Sequence, residues 1–221
     1  MEKVIEDRYK VISSSSEGEY KEKGSKFIAY AYPVSSIENF EYYLEEVKSI
    51  HPKARHHCYA YRIGIGGKLF RANDDGEPSG TAGKPILGQL MSFEISDCLV
   101  VVVRYFGGTK LGASGLINAY KLATYDALSK AEIITRTLND TFKLTFEYGE
   151  MGHLMNVIKS LKLEIKEKVF EAKPFVTIQI PQSETASALI RLKAKLLQIS
   201  EEQITDETVI PFCSIEKIDG I

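Results

Sequence analysis

The chain has 221 residues, 44% hydrophobic and 26% charged, with a formal net charge of −2. That is enough chain for one large domain or two small ones, in the range of ordinary globular proteins. The net charge excludes a strongly cationic nucleic-acid binder, though not a local basic patch, and the longest apolar run, Leu99–Val103, is far too short to span a bilayer.

In chain order, Tyr9–Ser13 and Phe27–Val34 read as strands separated by a polar turn region with Gly18 and Gly24. A helix is predicted from Ile37 to Ile50, with Ser35 and Glu38 as a capping box and Ile37, Phe40, Leu44 and Val47 on one face. Pro52 ends it. His57–Ile63 alternates as a strand, and Gly66-Gly67 predicts a hairpin into Lys68–Ala72. A helix follows from Ala82 to Phe93, with Pro85 in its first turn. Leu99–Val103 is a β-branched run suited to a strand buried on both faces. A helix to Ala131 comes next, its inward face made of Leu116, Ala119, Tyr120, Ala123 and Ala127.

Beyond a boundary expected near Ile133–Leu138, the order is strand Thr141–Tyr148, helix Met151–Leu161, strands Glu164–Phe170 and Phe175–Ile180, helix Thr185–Ile199 and strand Val209–Cys213. That is a βαββαβ unit of the ferredoxin-like kind. The fold class is therefore α+β, with domains 1–134 and 135–221. The polar stretch Arg136–Asp140 reads as the link between them.

Two loops hold most of the chemistry. The first runs Arg71-Ala-Asn-Asp74-Asp75-Gly-Glu77-Pro-Ser-Gly-Thr-Ala-Gly-Lys84-Pro85. The second runs Arg104-Tyr-Phe-Gly107-Gly108-Thr-Lys110-Leu-Gly112-Ala-Ser-Gly115. A glycine loop entering a helix aims backbone N–H groups at an anion. Gly107 to Gly112 approaches a P-loop but has Ala113 where lysine belongs, and it is not G-x-G-x-x-G either. The glycines therefore serve an anion site or only turn the chain and let an alanine-faced helix approach. The candidate anion- or nucleic-acid-binding residues are Arg71, His57, Lys84, Arg104, Gly107, Gly108, Lys110 and Gly112. Lys84, Arg104 and Lys110 are expected to lie near one another.

Asp74, Asp75 and Glu77 form a polar cluster. They would hold a metal only as a minority alternative to plain turn chemistry. No metal or cofactor is expected. His56, His57 and Cys58 have the residue types of a thiol enzyme. On a strand, however, His57 and Cys58 face opposite ways, and His56 stands about 6–7 Å from Cys58. Cys58, Cys98 and Cys213 have no zinc or disulfide spacing and are expected to be reduced thiols in a cytoplasm. The opening residues Met-Glu-Lys-Val-Ile-Glu-Asp-Arg lack an apolar signal-peptide core. From His51 to Lys110 the cations Lys53, Arg55, Arg62, Lys68, Arg71, Lys84, Arg104 and Lys110 outnumber Asp74, Asp75, Glu77, Glu94 and Asp97. Tyr30, Tyr32, Tyr59, Tyr61, Phe70, Tyr105 and Phe106 interleave with basic residues, as in proteins that bind RNA on a β-strand surface, although core packing is the commoner use of such aromatics.

Ala72–Leu87, Val101–Gly112 and the strand His57-Cys-Tyr-Ala-Tyr61 together resemble the Impact family in its bacterial two-domain, YigZ-like form, over residues 15–130. The resemblance implies an N-terminal ribosomal protein S5 domain 2-like domain. It implies a C-terminal ferredoxin-like domain similar to domain V of elongation factor G. Eukaryotic members regulate translation through protein partners, but they carry an RWD domain not seen here, so that partnership is not carried over. The expected function is a non-enzymatic protein that binds RNA or the ribosome, with a translation-associated protein as a further partner and no membrane. The alternative is an enzyme acting on a phosphorylated or nucleotide substrate at the two loops.

Overall fold

In a computed structural model, which describes residues 7–218, two compact units are present: residues 8–136, and residues 137–218 together with Asp7. Most of the opening stretch read for a signal peptide lies outside the described residues, as do the outermost ends of both expected domains.

The first unit is built on a five-stranded antiparallel sheet. Its strands are β2 (Ser16–Glu22), β3 (Ser25–Pro33), β4 (His56–Ile63), β5 (Leu69–Asn73) and β6 (Cys98–Tyr105), in the order β2-β3-β6-β4-β5. The β-branched run lies in the central strand β6, and its alternate residues enter two different cores. Cys98, Val100 and Val102 pack with Ile86, Leu90, Ala119, Tyr120 and Ala123 of α2 (Gly83–Ser92) and α3 (Gly112–Lys130). Leu99, Val101 and Val103 pack with Phe40, Leu44 and Val47 of α1 (Ile37–Ile50) and with Tyr30, Tyr32, Tyr59 and Tyr61. Helices on both faces explain why this strand is apolar without alternation.

The faces differ in side-chain size. Ala29, Ala31, Ala60 and Cys58 line the α2/α3 face, and tyrosines line the α1 face. Small residues let α3 come so close that a Cβ on Gly18 of β2 would stand 2.3 Å from the Ala127 backbone nitrogen. β1 (Arg8–Ile12) pairs with β7 (Ile133–Thr137) in a separate two-stranded sheet. Buried Asp97 ties that ribbon to the main sheet, accepting hydrogen bonds from Tyr9 Oη (2.7 Å), Arg136 Nη1 (2.9 Å) and Gly64 N (2.8 Å).

Several expectations need correction. The polar region around Gly18 is not only a turn: it contains β2. This edge strand pairs on one side only, so it can be written Ser-Glu-Gly-Glu-Tyr-Lys-Glu. The N-cap of α1 is Ser36, whose hydroxyl accepts from Asn39 N at 3.3 Å, not Ser35. The stretch 136–140 is strand rather than open linker, since β7 and β8 (Asn139–Phe146) leave only Leu138 between them.

The second unit is one antiparallel sheet of β8, β9 (Glu164–Val169), β10 (Phe175–Pro181) and β11 (Cys213–Ile218), in the order β11-β8-β10-β9. Helices α4 (Met151–Ser160) and α5 (Thr185–Leu197) close its core with Leu154, Ile158, Leu192 and Leu196. The βαββαβ order is the one read from the sequence. The last strand begins where it was expected to end, because Val209 is 77% exposed and precedes a turn. Among the described residues no helix is long and apolar enough to cross a membrane.

Candidate nucleic-acid interface

The sheet register creates a cleft of about 720 Å³ in the first unit. β4 runs antiparallel to β6 with His56 opposite Arg104, so the residues entering β4 lie beside those leaving β6. The walls are Lys53, Arg55 and His56 on one side and Tyr105, Phe106 and Lys110 on the other, with Arg104, Glu77 and Pro78 beneath. Leu111, Gly112, Ala113 and Leu116 bring in the start of α3, which has no side-chain cap. The first-turn N–H groups and the partial positive charge of a 19-residue helix thus open onto a cationic cleft.

Beneath the cleft lies a buried ion pair. Arg104 Nη1 donates to Glu77 Oε1 at 2.7 Å, with the side chains 9% and 3% exposed. Tyr120 Oη donates to the same oxygen at 2.9 Å, and Cys58 Sγ, with one S–H to donate, lies 2.9 Å from Asp74 O and 3.3 Å from Tyr120 Oη. The guanidinium stands 5.5 Å from the Phe27 ring and 5.6 Å from the Phe106 ring. On the α1 side, Tyr105 Oη lies 2.9 Å from His51 Nδ1, and Tyr30 Oη lies 2.7 Å from His51 Nε2. Burial pushes the His51 pKa below its ordinary value, as does nearby His57.

The three carboxylates of the first loop point to three different places. Asp74 accepts from the backbone N–H groups of Gly80, Ala82 and Gly83. Asp75 Oδ2 accepts from His57 N at 2.6 Å, where β4 has run past its neighbour β5. Glu77 takes Arg104. Among the described residues no group of three or more His, Cys, Asp or Glu is placed to hold a metal ion.

A family model described as the Impact N-terminal domain matches residues 23–128, which contain every residue lining the cleft. A Bacillus subtilis (strain 168) protein, IMPACT family member YvyE, is 36% identical over 159 residues, covering 72% of this chain and 73% of that one. The chain belongs to the IMPACT family. IMPACT family member YigZ of Escherichia coli K12 is 32% identical over 172 residues, 77% of this chain and 84% of that one. A solved structure described as the crystal structure of a hypothetical protein covers 97% of this chain and 99% of its own, with a TM-score of 0.64 and 27% identity.

Of the candidate site residues read from the sequence, Arg104, Lys110, Gly112 and Glu77 line the cleft of this IMPACT-family chain; Lys84, Arg71, His57, Gly107, Gly108, Asp74 and Asp75 do not. Lys84 lies in the first turn of α2, whose leading N–H groups are already held by Asp74, so the three cations expected together are not all in one cleft. Arg71 is on the edge strand β5. His57 is buried, its Nε2 3.3 Å from His51 O, and the neighbouring His56 faces the cleft instead. Gly107 packs the second loop against the β2–β3 turn: a Cβ there would fall 1.9 Å from the Gly24 carbonyl carbon. In the sequence Lys53 and Arg55 figure only among the cations of residues 51–110, and Phe106 only among the interleaved aromatics; none is named there as a candidate site residue. Lys53 and Arg55 sit in a connection without a motif, and only the β4–β6 pairing brings them here.

The thiols take no part in the cleft. Burial pushes Cys58 and Cys98 far above the usual thiol range, and Cys213 up to about 11. A Cys58→Ser, Cys98→Ala, Cys213→Ala variant is expected to keep the wild-type ligand affinity, with about 1 kcal/mol lost per truncated core site. Binding and melting measured side by side check this. Lost affinity with an unchanged melt would assign a thiol a functional part.

Proposed function

We propose that this IMPACT-family protein binds RNA, free or in the ribosome, through the cleft of its first unit, and that it acts without catalysis in the regulation of translation in the cytoplasm. The observation that carries the reading is the charge of the cleft. Lys53, Arg55 and Lys110 line it, and none of them has an ion-pair partner among the described residues. Glu77, the acid in the lining, is neutralised by Arg104. Lysine and arginine side chains with uncapped helix N–H groups are the donors that phosphate contacts use. The family's association with translation supports the setting, and a translation-associated protein is a further partner in the same proposal. An enzyme using Asp74, Asp75 or Glu77 as base or metal ligand would need a free carboxylate in the cleft; Glu77 lines it but is held by Arg104, and Asp74 and Asp75 lie outside its lining. They are spent instead on the backbone of α2 and β4.

Each phosphate neutralised on a single strand contributes roughly −0.7 to the slope of log K against log salt. Replacing Lys53, Arg55 and Lys110 with alanine is therefore expected to weaken RNA binding and flatten that slope by about two units, while Lys84→Ala leaves it unchanged. Filter binding at several salt concentrations reads both. An unchanged slope in the triple variant would rule out the cleft, and no RNA binding by the wild type would rule out the function.

A further inference from the structure

We propose that the cleft takes single-stranded RNA, with a phosphate held between Lys53, Arg55 and Lys110 and a base stacked on Phe106. The inference rests on the RNA-binding reading and specifies which form of RNA fits.

Phe106 is 57% exposed on the wall of a cleft that Lys53, Arg55 and Lys110 also line. A large aromatic ring left in water beside unpaired positive charge is not explained by packing, since the core of the unit closes without it. Nor is the ring loosely held. Arg104, fixed by its ion pair to Glu77, stands between Phe27 and Phe106 at 5.5 and 5.6 Å from the two ring centres. A cation resting against an aromatic face is attracted to it by the ring quadrupole. Glu77 and Arg104 are therefore positioning residues that hold Phe106 as a platform.

Size and shape select the ligand. A volume of about 720 Å³ lies in the range of small-ligand pockets, enough for a nucleotide unit to enter. A duplex offers its phosphates to such a cleft but keeps its base faces stacked inside the helix, where Phe106 cannot reach them. An unpaired strand offers both. Cationic grooves with aromatic platforms are the general solution for single strands, and such stacking tolerates any base because every base has a π face. Phosphate at the cation cluster and base at Phe106 are thus two separable contributions, one dependent on salt and the other not.

The experiment is fluorescence anisotropy on the full chain with a labelled ten-nucleotide oligouridylate and a labelled sixteen-base-pair RNA duplex, at several salt concentrations. The oligouridylate is expected to bind more tightly than the duplex. Phe106→Ala should weaken it about five- to hundred-fold, the range of base–aromatic stacking, without changing the salt slope. Phe106→Tyr, which keeps the π face, should stay within about threefold of wild type by the same stacking argument. Equal or tighter duplex binding with no effect of Phe106→Ala would overturn the stacking site while leaving RNA binding in place. A loss shared equally by the alanine and tyrosine variants would also overturn it. Failure of the wild type to bind either RNA would remove the RNA-binding reading itself.

Discussion

Glu77→Ala is expected to destabilise the protein by about 3–5 kcal/mol, the usual cost of removing one partner of a buried ion pair. Arg104 is 9% exposed and Glu77 3%, so the guanidinium left behind cannot recover water without opening the loop. Its Nε already lacks a hydrogen-bond partner among the described residues, and Tyr120 Oη would lose its acceptor as well. The cost comes from an orphaned charge rather than from the net value of the pair. Glu77→Leu with Arg104→Met should therefore recover most of it, because buried pairs replaced by apolar groups of similar volume are often close to neutral. Urea unfolding of the full chain checks both, read as a shifted midpoint at constant m. A loss below about 1 kcal/mol in Glu77→Ala would mean that the cleft hydrates Arg104, as it does surface pairs. The double variant also tests the platform: stability should return while oligouridylate affinity does not, since Met cannot hold Phe106 as a guanidinium does.

Much of the fold was legible because the decisive patterns are local. The Leu99–Val103 run needs two apolar faces, and it found them as the central strand. The alanine stripe of α3 announced close packing, and Ala119, Ala123 and Ala127 are fully buried. β2 was missed because an edge strand has one partner and much exposed surface, which removes both hydrophobicity and alternation from its sequence. Val209 and Ile210 drew the last strand too early: Val209 is 77% exposed, and Ile210 is buried in the core but makes only an isolated bridge to Cys213 before the strand begins.

The cleft proposed as the site was legible in part: some of its lining residues stood out in the sequence and others did not. Lys110 and Gly112 belong to a loop dense enough to single out, and Arg104 ends an apolar strand. Lys53 and Arg55 carry no local signal: their position follows from β4 pairing antiparallel to β6, a long-range fact. The acids misled for the opposite reason. Asp74, Asp75 and Glu77 lie within four positions of one another, yet each satisfies a different buried donor. Spacing along a loop does not give direction, because a turn such as that at Asp75, with φ 41°, redirects the next side chain.

Asp74→Ala is expected to cost about 2 kcal/mol near neutral pH, the upper range for losing a helix cap, moderated by the half-exposed position. The carboxylate lies nine positions upstream of the helix it caps. Oδ1 accepts from Ala82 N at 3.0 Å and Gly83 N at 2.8 Å, and Oδ2 accepts from Gly80 N at 2.7 Å. Partial burial raises its pKa, but the three backbone donors and Lys84 outweigh that, so the net shift is below the ordinary value of 3.8. A depressed folded-state pKa stabilises the protein above the unfolded-state value, and that contribution is lost as pH falls through the folded-state value. The stability gap between wild type and Asp74→Ala should therefore be full at pH 7 and shrink below about pH 4. Asp74→Asn should fall between the two. Its Oδ1 still serves Ala82 and Gly83, but its amide nitrogen would face the Gly80 N–H, donor against donor. Because Asp74 does not line the cleft, neither variant should change the salt dependence of RNA binding measured on folded protein. Urea titrations at pH 7 and pH 3 decide the first part. A gap that is the same at both would mean that the carboxylate's charge contributes nothing to holding the start of α2. Loss of binding by Asp74→Asn with its melt intact would return this residue to the functional site.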